Sequence, residues 1–192
     1  LPGSDVEYQK VTYDAQAYYP LGKDFVLRGY GKLGYGNDLP FYKNYYAGGY
    51  GSVRGYDNST LGPKYDGVYF SDRGQKDPSP EEVGGNALVQ FGTELALPVP
   101  FKGDWARQVR PVIFAEGAQV FDTQCDVQVT DAGRQYCKDN YGFDFGEMRY
   151  SVGVGFTWIT MIGPLSLSYA YPLNEKPGDE TKNIQFEIGR TF

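Results

Sequence analysis

The stretch YSVGVGFTWITMIGPLSLSYAYPLN, Tyr150 to Asn174, contains no charged residue. Its length suits a bilayer-spanning helix. Its pattern is that of two strands. Tyr150, Val152, Val154, Phe156 and Trp158 alternate with Ser151, Gly153, Gly155 and Thr157. After Gly163-Pro164, Leu165, Leu167, Tyr169 and Tyr171 alternate with Ser166, Ser168 and Ala170. Period-2 runs on either side of a turn predict a β-hairpin.

The same alternation recurs outward along the chain. NIQFEIGRTF sets Ile184, Phe186, Ile188 and Phe192 against Gln185, Glu187, Gly189 and Thr191. NALVQFGTELAL sets Val89, Phe91 and Leu95 against Gln90, Gly92 and Glu94. VRPVIFAEGAQVF is a strand of blurred parity. FVLRGYGKLGY places Arg28 and Lys32 on one face, and VEYQKVTYDAQAYY places Thr12, Asp14 and Gln16 on one. These make about seven strands. Ten residues at ~3.3 Å each, tilted about 40°, rise about 25 Å, the height of an outer-membrane apolar band.

The connections alternate in length. Pro20–Asp24, Pro98–Gln108 and Thr160–Pro164 are short, whereas Gly36–Gly85, Asp122–Gly146 and Pro172–Lys182 are long and polar. Short turns at one end and long loops at the other is the transmembrane-barrel pattern. A soluble sandwich or lipocalin-like barrel also alternates, but it turns its large apolar face inward and its charges outward. Here the second face is Ser, Gly, Thr, Gln and Glu, too small and too lightly charged for a water-facing wall. Aromatic residues also gather near strand ends. The predicted fold is an all-β antiparallel transmembrane barrel, present as a piece of about seven strands in one domain over residues 1–192.

Composition narrows the function classes. The 192 residues include 26 Gly, 12 Pro, 18 Tyr and 12 Phe, which suits β structure with many turns rather than disorder. A net charge of -6 argues against nucleic acid as a partner. Histidine is absent, which removes Ser-His and Cys-His catalysis and the ordinary zinc ligand sets. No catalytic residue, metal or cofactor is expected. The start, LPGSDVEYQK, shows no secretory signal and no Met, and reads as an excised piece or mature fragment.

GYGKLG, Gly29–Gly34, spells GxGxxG, but YGNDLPFY follows instead of a helix, so a barrel strand explains it better than a phosphate site. Cys125 and Cys137 share a long loop, and other metal ligands are wanting; in an oxidising compartment they are expected to form a disulfide. Glu94 and Glu116 flank the Pro98–Gln108 connection. With the hairpin centred near 103–105, they come within a residue or two of facing each other. Two carboxylates inside a barrel repel unless one is protonated or a cation stands between them. Hydration in a wet lumen is one resolution. The other is an arginine reaching in. YYAGGYGSVRGYDNSTLGPKYDG, Tyr45–Gly67, carries Arg54 among glycines that permit close backbone approach.

GGYGSVRGYDNSTLGPK, with PFYKNYYA before it and GGNALVQFGTELALPVPF, FAEGAQVFDT, GPLSLSYAYPL and FEIGRTF after it, resembles the BamA family of outer-membrane barrel-assembly proteins, in order and over essentially the whole chain. TamA-like proteins and two-partner secretion transporters share the VRGY-like element, but the surrounding sequence is closer to BamA. The resemblance implies that this chain is the C-terminal half of such a barrel, without the periplasmic domains. It implies that 36–85 is the sixth loop, folded into the lumen through Val53, Arg54, Gly55 and Tyr56, with Arg54 meeting Glu94 and Glu116. Glu116 stands where the family often carries Asp. The resemblance further implies a lateral-gate strand containing Phe186, Ile188, Gly189 and Phe192. The expected function is insertion of nascent β-barrel proteins into the outer membrane of a Gram-negative bacterium, without enzymatic chemistry. The expected partners are lipid, nascent barrels and accessory lipoproteins of the full-length protein. The rivals are a TamA-like or two-partner secretion translocator, a passive porin-like channel, an outer-membrane hydrolase and a soluble binding domain.

Overall fold

The computed structural model describes residues 7–22, 24–65, 81–99, 103, 108–125, 131–161, 163–176 and 178–189. In chain order the strands are β1 (Gln9–Gly22), β2 (Phe25–Asn37), β3 (Gly55–Tyr56), β4 (Lys64–Tyr65), β5 (Glu81–Glu82), β6 (Ala87–Ala96), β7 (Val109–Phe121), β8 (Arg149–Thr160), β9 (Gly163–Pro172), β10 (Thr181–Lys182) and β11 (Ile184–Ile188). One helix, α1 (Asp131–Asn140), lies between β7 and β8.

Seven of these strands form one sheet in the order β1-β2-β6-β7-β8-β9-β11, each antiparallel to its neighbour. It is an up-and-down meander with β1 and β11 at its edges. The short strands sit in the long connections, where β3 pairs with β10 and β4 with β5. Among the described residues no helix is long and apolar enough to cross a membrane.

The sheet's faces are inverted relative to a soluble protein. On β8, Val152, Val154, Phe156 and Trp158 are 39% to 53% exposed, while Ser151 and Thr157 are at 1% and 5%. On β9, Leu167, Tyr169 and Tyr171 point outward, and Ser166, Ser168 and Ala170 are buried. Burial on the inner side is supplied by the connection between β2 and β6, which folds back against the sheet. Its Tyr45, Ala47, Val53, Tyr56 and Leu61 pack with Leu88, Ala118 and Val120. VRPVIFAEGAQVF, of blurred parity in sequence, is β7 throughout. Its inward side carries large apolar groups, Val112, Phe114 and Val120, because the loop covers them.

Three expectations change. The final strand, read as Asn183–Phe192, is five residues long and ends at Ile188. Gly189 lies past the ladder with φ +87°, and its amide still donates to the Pro164 carbonyl at 2.9 Å. Phe192 lies outside the described residues, as does 66–80 of the long loop. Lastly, the Asp122–Gly146 connection contains α1, which no apolar periodicity announced.

Candidate functional site

The β6–β7 register places Glu94 opposite Phe114 and Glu116 opposite Gly92, so the two carboxylates are diagonal neighbours on the inner face. Into this gap comes Arg54. Its Nε and Nη2 donate to Glu116 Oε1 at 2.9 and 2.6 Å, and its backbone amide donates to Glu116 Oε2 at 2.8 Å. Nη2 also donates to Glu94 Oε2 at 3.2 Å. Glu116 is thus the principal partner and Glu94 the secondary one, the reverse of the weight given to them in sequence. The longer Glu side chain spans the distance without difficulty. Tyr30, inward on β2, donates its hydroxyl to Glu116 as well.

The site is dry. The Arg54, Glu94 and Glu116 side chains are 2%, 6% and 1% exposed. Burial by itself lowers the Arg54 pKa. The Glu116 charge and hydrogen bond, and then the Glu94 charge, outweigh burial and hold the guanidinium above its ordinary value. Phe114 lies beneath it, with the guanidinium carbon 3.4 Å from the ring centroid, a stacked cation–π contact. Two inward glycines make room: a Cβ on Gly153 would meet the Phe114 ring, and one on Gly92 the Tyr30 ring. Phe114 and Tyr30 went unmarked in the sequence. Strand pairing of Phe114 with Glu94 was the available signal.

The other residues of the arginine loop have separate tasks. Val53 is fully buried in the apolar cluster. Gly55, at φ +95°, rides over Ala170, where an added Cβ would approach to 3.3 Å. Gly55 and Tyr56 pair with Lys182 and Thr181. Asp57 N donates to Glu180 O at 2.8 Å, and Gln185 Nε2 of β11 donates to Tyr56 O at 2.6 Å. Burial first, then the charge of Asp179, pushes the Tyr56 hydroxyl up to about 12. A single loop therefore touches β6 and β7 through Arg54, β9 through Gly55 and β11 through Tyr56.

Beside Arg54 is a cavity of about 350 Å³, lined among others by Asp14, Arg28, Lys32 and Glu94. GYGKLG lies within β2, and Asn37 ends that strand with no helix after it. Cys125 and Cys137 are bonded to each other, tying the segment after β7 to α1.

An apolar outer wall, a polar inner wall and an arginine loop folded between them agree with the family comparison, in which the Omp85 superfamily domain matches residues 1–192. The chain belongs to the Omp85 superfamily. As an Omp85 chain it is 38% identical, along its whole length, to the outer membrane protein assembly factor BamA of Neisseria meningitidis serogroup B, of which it covers 25%. It is 27% identical over 99% of its length to the sorting and assembly machinery component 50 homolog of Mus musculus, covering 38% of that protein. The crystal structure of Haemophilus ducreyi BamA lacking POTRA domains 1–3 superposes with a TM-score of 0.80 at 34% identity, over 97% of this chain and 35% of that one. This Omp85 chain therefore spans about a quarter to two fifths of the relatives it matches. They are named as assembly components rather than as enzymes.

Proposed function

We propose that this chain is the C-terminal part of an outer-membrane barrel that assembles and inserts nascent β-barrel proteins, in the outer membrane of a Gram-negative bacterium. A nascent strand cannot enter lipid with unpaired backbone groups. An edge strand that releases its own partner supplies the missing hydrogen bonds. The observation that carries the reading is β11. It has five paired residues, one sheet neighbour among the described residues, and a positive-φ glycine at its end. Phe186 and Ile188 face outward there, and with Gly189 and Phe192 they form the gate strand. Val53, Arg54, Gly55, Tyr56, Glu94 and Glu116 form the lumenal anchor that sets the loop. Lipid and accessory lipoproteins of the full-length protein are its further partners.

The test is the full-length protein in proteoliposomes with an unfolded outer-membrane barrel as substrate. The expected result is protease-resistant, heat-modifiable substrate in the bilayer. Ion conductance with no folded substrate would favour a passive channel, and export of a soluble passenger would favour a secretion translocator.

A further inference from the structure

The segment 142–146, between α1 and β8, is folded against the outer wall of the sheet. Strand parity turns Gln119 outward on β7, yet it is only 6% exposed. Its Nε2 donates to Gly142 O at 3.1 Å, and its Oε1 accepts from Asp144 N at 3.3 Å. A polar group on an apolar wall is thereby satisfied, and the segment is pinned there. Phe143 stacks edge-on against Phe121, the last residue of β7, with centroids 5.3 Å apart, and Phe145 stacks on Phe143 at 4.9 Å. Phe143 is 46% exposed and Phe145 72%. The acidic groups beside them are engaged within the loops: the Asp144 carboxylate accepts from Gly146 N, and Glu147 pairs with Lys176 and Arg149. The phenyl rings are what the segment offers outward.

We infer that Phe143 and Phe145, stacked on Phe121, form a membrane-docking foot that seats the β7–β8 loop in the acyl–headgroup boundary of the bilayer on the long-loop side. This rests on the reading of the outer wall as lipid-facing. The occupant follows from continuity. Tyr35 and Phe121 flank Ala87 in register, and Phe91 and Tyr150 flank Gly117 one step lower. These outward rings form an aromatic row at the upper rim of the wall, the level at which barrels carry their interfacial girdle. The foot extends that row without a break. β7 is also the central strand of the seven, three strands from either edge. A partner strand added at β1 or β11 leaves this face uncovered.

The experiment places a photo-reactive benzophenone side chain at Phe145, at Phe156 on the wall, or at Asp131 on α1, each singly in the full-length protein in lipid nanodiscs. Adducts are read by mass spectrometry. Lipid adducts at Phe145 comparable to those at Phe156, and several-fold above those at Asp131, are expected. Lipid adducts at Phe156 but not at Phe145 overturn the foot while leaving the wall lipid-facing. An adduct from Phe145 to protein also overturns it, because a protein then covers the rings. Absence of lipid adducts at Phe156 removes the lipid-facing reading, and the foot with it.

Discussion

Arg54 is a buried cation whose two carboxylates are themselves buried, so its removal leaves uncompensated charge. Breaking such a pair costs about 3–5 kcal/mol, against about 0–1 kcal/mol for an exposed one. Arg54→Ala in the full-length protein is expected to lower stability by that larger amount, measured by urea unfolding in a folded-state detergent. Arg54→Lys should recover only part of it, since an ammonium lacks the fork that engages Glu116 through Nε and Nη2. A double-mutant cycle of Arg54→Ala with Glu116→Gln should show coupling above about 1 kcal/mol. Simple additivity would refute the anchor. Gly153→Ala tests the floor beneath the arginine: the new methyl displaces Phe114 and should cost about 1–3 kcal/mol. An unchanged unfolding midpoint would mean that the ring has room to move.

At the scale of elements, the arginine loop and β11 are stitched together. Gln185 is inward on the edge strand and reaches the Tyr56 carbonyl, while β10 just before it pairs with β3. β11 itself has only β9 as a sheet partner among the described residues. Gln185→Leu is therefore expected to speed amide exchange in 184–188 several-fold while leaving β6 and β7 unchanged. Equal exchange in wild type and variant would show that the loop does not hold the edge. The disulfide acts on a different element. Its sequence separation is 12, a closure worth about 3 kcal/mol in the chain-entropy picture. Both ends lie between β7 and β8, so reduction should loosen 122–148 and leave the sheet ladders protected. Two free thiols in non-reducing mass spectrometry of oxidatively folded protein would contradict the pairing.

The whole molecule is a sheet with β1 and β11 at its edges, covering about a quarter of a BamA relative. The 192 residues alone are expected to give no assembly of a barrel substrate in liposomes, because one side of the gate is missing. Folded substrate produced by this chain alone would place the activity within it. Its edges should also pair between copies in detergent, seen as a dimer by native mass spectrometry. A monomer with freely exchanging β1 amides would contradict that.

The sequence by itself determined the strands, their order and the inverted faces. Side-chain alternation along a strand is local, and in YSVGVGFTW every second residue declares which side is greasy. It also determined that Glu94 and Glu116 would meet, because the register of a hairpin follows from its centre. The tertiary structure decided what the loop does. It ranked Glu116 above Glu94, put Phe114 under the guanidinium and joined Tyr56 to Gln185 across 129 positions. It also formed α1 beside a disulfide instead of on an apolar stripe, and it ended β11 at Ile188. These contacts join segments far apart in the chain, and their energy comes from burial and charge pairing that exist only once the loop has folded into the barrel's inner face.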